Sequence, residues 1–241
     1  MRKILLTGAS DSFGDAIIDT LLARGDQVYV IGNYSNKAFI TKPGYYFFAV
    51  NMEDVGMIKE SSRNFIKEHK FDLVILNTPE YPDILELDQT SLQTLNEALH
   101  RHVWVNKQLI DILDLYSKVR QVVAISSKET SICEKGWGAF VIAKSALNAM
   151  IKTYASEKPW THFSAIDIGT VMTPKLKRIF EKTDAEIYPS IKRLREGYIF
   201  TPEVASKRLL LGCELAMEKS SGSFIDMSDL EMTPKLSWLQ K

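Results

Sequence analysis

Short apolar runs alternate along this chain with longer segments whose apolar residues recur every three or four positions. The short runs predict buried strands, and the periodic segments predict helices with one face turned inward. Ile4–Leu6 opens the series as a strand. Phe13, Ala16, Ile17, Thr20 and Leu21 follow at helical spacing, and Gly25 stops that helix. Further strands are expected at Val28–Ile31, Tyr46–Val50, Leu73–Leu76, Val122–Ile125, Phe163–Ile168 and Phe224–Met227. A helix between the third and fourth strands turns Val55, Ile58, Phe65 and Ile66 inward. Long helical regions cover Ser91–Tyr116 and Trp137–Ser156. Thr201-Pro202-Glu203 opens another helix, with proline at its first position. Strands alternating with helices predict an α/β fold: a doubly wound parallel sheet of about seven strands flanked by helices.

One stretch lacks a clear pattern, residues 170–200. Its length makes it a functional loop or lid over a site, within a single domain spanning residues 1–241. It mixes Lys175, Lys177, Arg178, Lys182, Lys192, Arg193 and Arg195 with Glu181, Asp184, Glu186 and Glu196. That mixture reads as a solvated helix face before it reads as a pocket for an anion.

Composition narrows the function classes. Thirty basic and thirty acidic residues cancel, so no bulk charge draws the chain to nucleic acid or to a membrane. No apolar run reaches the ~20 residues that span a bilayer. The apolar start is too short for a signal peptide and runs into a glycine turn, so a cytoplasmic location is expected. Cys133 and Cys213 read as ordinary thiols, and no His or Cys stands at metal-ligand spacing, so no metal is expected. His100 and His102 would face ~200° apart on a regular helix, which makes them poor co-ligands.

The candidate chemistry begins at Thr7-Gly8-Ala9-Ser10-Asp11-Ser12-Phe13-Gly14, between the first strand and first helix. Such a turn lets backbone approach a pyrophosphate, and the helix N-terminus adds free N–H groups and partial positive charge. The second strand ends in Gly32-Asn33-Tyr34-Ser35-Asn36-Lys37, without the acid that would hold a ribose 2′-hydroxyl. Farther on come Asn51, the run Leu76-Asn77-Thr78-Pro79, Ser126-Ser127, Phe140-Val-Ile-Ala-Lys144, and Ile168-Gly169-Thr170-Val171-Met172-Thr173.

In this order the motifs resemble those of the short-chain dehydrogenase/reductase family across nearly the whole chain. The resemblance implies a single-domain Rossmann fold, an NAD(P) cofactor, a small-molecule substrate and hydride transfer between nicotinamide and a carbonyl or alcohol. It implies cofactor contacts at Gly8, Ser10, Ser12, Phe13, Gly14 and Asn33, at Asn51, Met52 and Asn77, and at Lys144, Gly169, Val171 and Thr173. NADP is favoured over NAD by the missing acid, with Ser35, Asn36 and Lys37 as phosphate contacts, whereas Asp11 argues the other way. Ser127 matches the family's substrate-orienting serine, thirteen residues before Phe140. Lys144 matches its ribose-binding lysine. His100 falls near the position of an upstream asparagine in the proton path.

Phe140 stands where the family has its proton-carrying tyrosine. It keeps the ring and lacks the hydroxyl. Three readings follow. Proton transfer runs through another group, with Ser127, Ser131, Glu134 and His100 as candidates. Alternatively the chain is a non-catalytic NAD(P)-binding pseudoenzyme with a regulatory or scaffold role. A single engineered change is the third, but Ser12, Asn51, Pro79 and Ile168 depart from the pattern too, which argues for natural divergence. Ala139, Ala143, Ala146 and Ala149 share one side of the helix through which family members pair, so a homodimer or homotetramer is expected.

Overall fold

A computed structural model describes residues 1–78 and 83–227. The chain runs β1 (Lys3–Thr7), α1 (Ser12–Ala23), β2 (Gln27–Gly32), β3 (Tyr45–Ala49), α2 (Val55–Glu68) and β4 (Leu73–Leu76). It continues through α3 (Leu92–Leu99), α4 (Val105–Tyr116), β5 (Gln121–Ile125), α5 (Glu129–Ile132), α6 (Gly138–Glu157) and β6 (His162–Asp167). Then come β7 (Thr170–Val171), α7 (Pro174–Lys182), α8 (Pro189–Glu196), β8 (Ile199–Phe200), α9 (Pro202–Ala216) and β9 (Ser223–Asp226). Pro79, which the sequence pattern singled out, lies outside the described residues.

Seven strands form one sheet in the order β3-β2-β1-β4-β5-β6-β9, every pair parallel. Parallel strands need crossovers, and the crossover helices bury both sheet faces, which is why the central strands read as unbroken apolar runs. Ile4, Leu5 and Leu6 are fully buried. Each such side chain stabilises the fold by about 1.5–3 kcal/mol. One core lies under α1 and α9 and includes Ile17, Leu21, Leu209 and Cys213. The other lies under α2, α4 and α6 and includes Ile58, Leu109, Leu113 and Ile151. Strand order reverses between β1 and β4, and the crevice at that switch point is where open α/β sheets take their ligands. No helix among the described residues is long and apolar enough to cross a membrane.

The structure corrects four expectations. Residues 170–200 form no patternless loop. Thr173 caps α7 by accepting from Leu176 N at 3.2 Å, and both α7 and α8 start on proline. Each helix is short and offers few buried side chains, so its periodicity is faint in the sequence. The third strand begins at Tyr45, one residue early, and Val50 lies beyond it. The long helical region is interrupted at His100–Trp104 by a π-helical turn. Finally, Ala139 and Ala143 pack on Ala98 of α3 within the same chain, whereas Ala149 is exposed.

Candidate functional site

Two compartments open along the carboxyl ends of the strands, and Asn77 and Thr78 line both. Asn77 fixes their shared wall. Its side-chain amide donates to Gly8 O at 2.9 Å, its backbone N–H donates to the Thr7 hydroxyl at 3.1 Å, and that hydroxyl donates to Asn77 O at 3.1 Å.

The first compartment is lined by Gly8, Ser10, Asn33, Met52 and His100, among others. Gly8 has φ +64°, a region that glycine enters without strain. At Gly14 a Cβ would lie 2.5 Å from Ala9 Cα, so α1 approaches the turn only because that side chain is absent. Asp11 then caps α1, accepting from Phe13 N at 3.1 Å and Gly14 N at 2.9 Å. Burial raises its pKa, although those two N–H bonds pull the other way. An internal carboxylate therefore holds donors that an anionic ligand at this helix end would use. The Asp-Ser-Phe-Gly pattern carries that cap in plain view.

Some expected contacts are engaged elsewhere. Asn33 Oδ1 accepts from Met52 N at 2.7 Å and binds the ends of β2 and β3 together. Asn51 is exposed, accepts from Glu53 N at 3.0 Å and does not line the cleft. Asn36 caps a short helical turn and donates to Asp15, and Ser35 pairs with the Tyr45 hydroxyl. Neither Ser35, Asn36 nor Lys37 lines the cleft, whereas Tyr34 does.

The second compartment gathers Ser127, Phe140, Lys144, Gly169, Val171 and Thr173, and Asp11 and Phe13 line it too. The end of β5 carries Ser127, and the i,i+4 pair on α6 turns Phe140 and Lys144 to the same face. Ser127 Oγ accepts from Glu129 N at 3.2 Å, which leaves its own proton to donate. Lys144 is buried and donates to Ile125 O at 2.7 Å. Burial drives its pKa down to about 7, against the opposing charge of Asp167. Its Nζ lies 5.8 Å from the Phe140 ring centre. That ring meets Trp137 and His102 edge-on, at 5.8 and 6.0 Å between centres. Gly169 has φ +88°, and Phe200 packs where its Cβ would be.

Three candidate proton groups are not brought to Ser127. His100 lines the other compartment, because the π turn gives the place beside Phe140 to His102. Ser131 is exposed, and Glu134 pairs with Arg193 without lining the cavity. Two acids that the sequence reading missed stand there instead. Glu129 is buried, accepts from Arg193 at 2.8 Å through Oε1, and has no partner at Oε2. Asp167 is buried, accepts from Gly169 N at 3.0 Å, and has no partner at Oδ2. Burial raises the pKa of both. Among the described residues no three His, Cys, Asp or Glu side chains cluster as a metal site.

Comparison with known proteins fits this arrangement. The sequence pattern described as short chain dehydrogenase matches residues 2–184. The benzil reductase ((S)-benzoin forming) of Bacillus cereus is 23% identical over 231 residues, 87% of this chain and 92% of that protein. A crystal structure of a short chain dehydrogenase/reductase from Saccharomyces cerevisiae superposes with a TM-score of 0.80 at 20% identity, covering 99% of both chains. A Shigella flexneri short chain dehydrogenase, solved in complex with NADP, gives 0.75 at 20% identity over 94% of this chain and 97% of that one. At such identities the structural likeness speaks for the fold, while the matched pattern speaks for descent. With that pattern spread over most of its length, this chain belongs to the short chain dehydrogenase family of oxidoreductases.

Proposed function

We propose that this chain is an NAD(P)-dependent oxidoreductase that interconverts a carbonyl and an alcohol, with proton transfer altered by Phe140 at the tyrosine position. The observation that carries the reading is the continuity of the cleft. One shared wall, Asn77 and Thr78, joins the glycine turn to the compartment of Ser127 and Lys144. The residues fit a dinucleotide. Gly8 and Gly14 let the backbone come close, and the buried Lys144 amine retains donors for a ribose. Gly169, Val171 and Thr173 would meet the nicotinamide end. Ser10, Ser12, Phe13, Asn33, Met52 and Asn77 would hold the rest, while Asn51 would not. The cofactor supplies or accepts hydride, Ser127 orients the substrate oxygen, and Lys144 positions the ribose. NADP is favoured over NAD, because residues 32–37 carry no acid and a fold relative binds NADP.

The substrate is a small molecule with an apolar body. Trp137, Phe140, Val171, Leu176 and Leu194 line the second compartment, and residues 170–200 serve as its lid. The benzil reductase likeness makes aryl ketones the first class to try. Two unpaired thiols accord with a cytoplasmic location. We place a homodimer or homotetramer interface on the outer faces of α4 and α6.

A second reading, a non-catalytic dinucleotide-binding protein, rests on the hydroxyl missing at Phe140. Calorimetry with NADPH and NADH, followed by turnover on benzil and a carbonyl panel, separates the two. We expect binding, and weaker binding in Lys144→Ala through loss of charge-assisted bonds. We also expect turnover that rises about 10²-fold in Phe140→Tyr if no other group donates the proton, and little if another acid already does. No binding to either cofactor sinks both readings. Binding without any turnover leaves only the second.

A further inference from the structure

Resting on the oxidoreductase reading, we propose that Glu129 is the proton-donating acid of this site, in place of the absent tyrosine hydroxyl. Its position follows from the chain. β5 ends at Ile125, Ser127 turns the backbone, and Ser127 Oγ accepts from Glu129 N at 3.2 Å, so the two side chains stand on one tight turn. Both line the cavity that holds Phe140 and Lys144. Glu129 is 6% exposed, and its two oxygens differ. Oε1 is held by Arg193 of α8 at 2.8 Å, whereas Oε2 is buried without a partner. A buried carboxylate oxygen with no donor is costly when ionised, and satisfied when it carries a proton and gives it to a ligand oxygen. Burial raises the Glu129 pKa toward that form, Arg193 opposes through its hydrogen bond and charge, and Glu134 adds to the rise through its charge and a side-chain hydrogen bond. The guanidinium thus orients the acid group.

The groups facing Glu129 are Arg193 from α8, Glu134 from the turn before α6, and its neighbour Lys128. Across the cavity stand Lys144, Asp167 and Asp11. Asp167 is the other buried acid with an unpartnered oxygen, Oδ2, but its charge acts on Lys144 and it is not on the turn of Ser127, so Glu129 is the acid assigned. In the reductive direction the carbonyl carbon receives hydride from the reduced nicotinamide. The carbonyl π bond opens onto oxygen, and that oxygen takes the Oε2 proton. The products are the alcohol, the oxidised nicotinamide and the Glu129 carboxylate, which regains its proton from solvent.

Glu129→Gln is the direct test, because the amide oxygen still accepts from Arg193 and keeps α8 in place. With NADPH and a ketone that the unmodified protein reduces, turnover should fall by about 10²-fold or more while NADPH affinity changes less than about twofold. Glu134→Gln removes an Arg193 partner that does not line the cavity and also takes away a carboxylate that raises the Glu129 pKa, so a moderate loss is expected there. A latch role predicts equal losses in the two variants, and an acid role predicts a far larger loss in Glu129→Gln. The ligand-free protein supplies a second readout. Carbon-13 NMR of glutamate-labelled protein should show one carboxyl titrating above the ordinary glutamate range, absent from Glu129→Gln. Full activity in Glu129→Gln, equal losses in both variants, or ordinary titration of every glutamate overturns the inference. Failure of the unmodified protein to turn over any carbonyl is read first, and it removes the proposed activity itself together with its acid.

Discussion

At the scale of single residues, the proposed balance between holding a nucleotide and using it turns on Asp11 and Phe140. The Asp11 carboxylate sits on the Phe13 and Gly14 N–H groups, where a pyrophosphate oxygen would compete for the same donors. Asparagine caps a helix as well as aspartate does, but carries no charge. Asp11→Asn should therefore tighten NADPH binding about fivefold, the size of one charge at a helix end, with little change in melting temperature. Calorimetry and a thermal melt check both halves. Unchanged affinity would mean that the carboxylate does not oppose the ligand. At this scale the sequence was legible wherever one local element fixes the geometry. Ser127 follows β5 closely, and Phe140 and Lys144 share a helix face, so the family resemblance read on their spacing brought them together. Glu129 was not legible. Its burial and its partner come from Arg193, sixty-four positions away on a helix whose pattern is faint. His100 lines the other compartment, and the π turn at His100–Trp104 shifts the phase of a helix that counting treats as regular.

At the scale of elements, the helices on one sheet face are tied through Asp111 of α4. It accepts from Lys59 of α2 at 2.7 Å, from Lys107 of its own helix at 2.8 Å, and from the Tyr154 hydroxyl of α6. Burial would raise the Asp111 pKa, but the hydrogen bonds from Lys107, Lys59 and Tyr154 outweigh it and the net shift is downward. A carboxylate held below its unfolded value stabilises the fold above that unfolded value, near 3.9. The contribution is lost as pH falls through the lower folded value. Asp111→Asn should thus lower the melting temperature at pH 7, and the gap to the unmodified protein should close toward pH 3. Tyr154→Phe should cost about 1 kcal/mol, roughly 2–4 °C in a chain of this size. Melts across pH test both, and a gap constant from pH 7 to 3 would show that the tie carries no charge effect. The strands and major helices were readable from apolar runs because burial on both faces leaves an unbroken signal. α7 and α8 were not, since a short helix with two or three inward residues leaves too few repeats.

At the scale of the molecule, the outer side of α3, α4 and α6 is where assembly is expected. Leu92 of α3, Trp104 of the π turn, Leu115 of α4 and Ile142 of α6 are exposed. Light scattering at micromolar concentration should give a dimer or tetramer mass, and Trp104→Glu should shift it toward monomer. A monomer in the unmodified protein removes the expectation. The alanines that first pointed to this surface did so only in part, because Ala139 and Ala143 already meet Ala98. A different consequence follows from the packing of α9 on α1, joined by the Thr20 and Ser206 hydroxyls at 2.6 Å. The cover of the first helix is encoded almost two hundred residues later, and β9, which closes the edge of β6, later still. During synthesis the emerging chain carries a bare apolar face and an unpaired strand edge for most of its translation. Ribosome pausing before residue 202 would prolong that exposure, so fast elongation through α9 and β9 should raise the share of this protein that escapes aggregation.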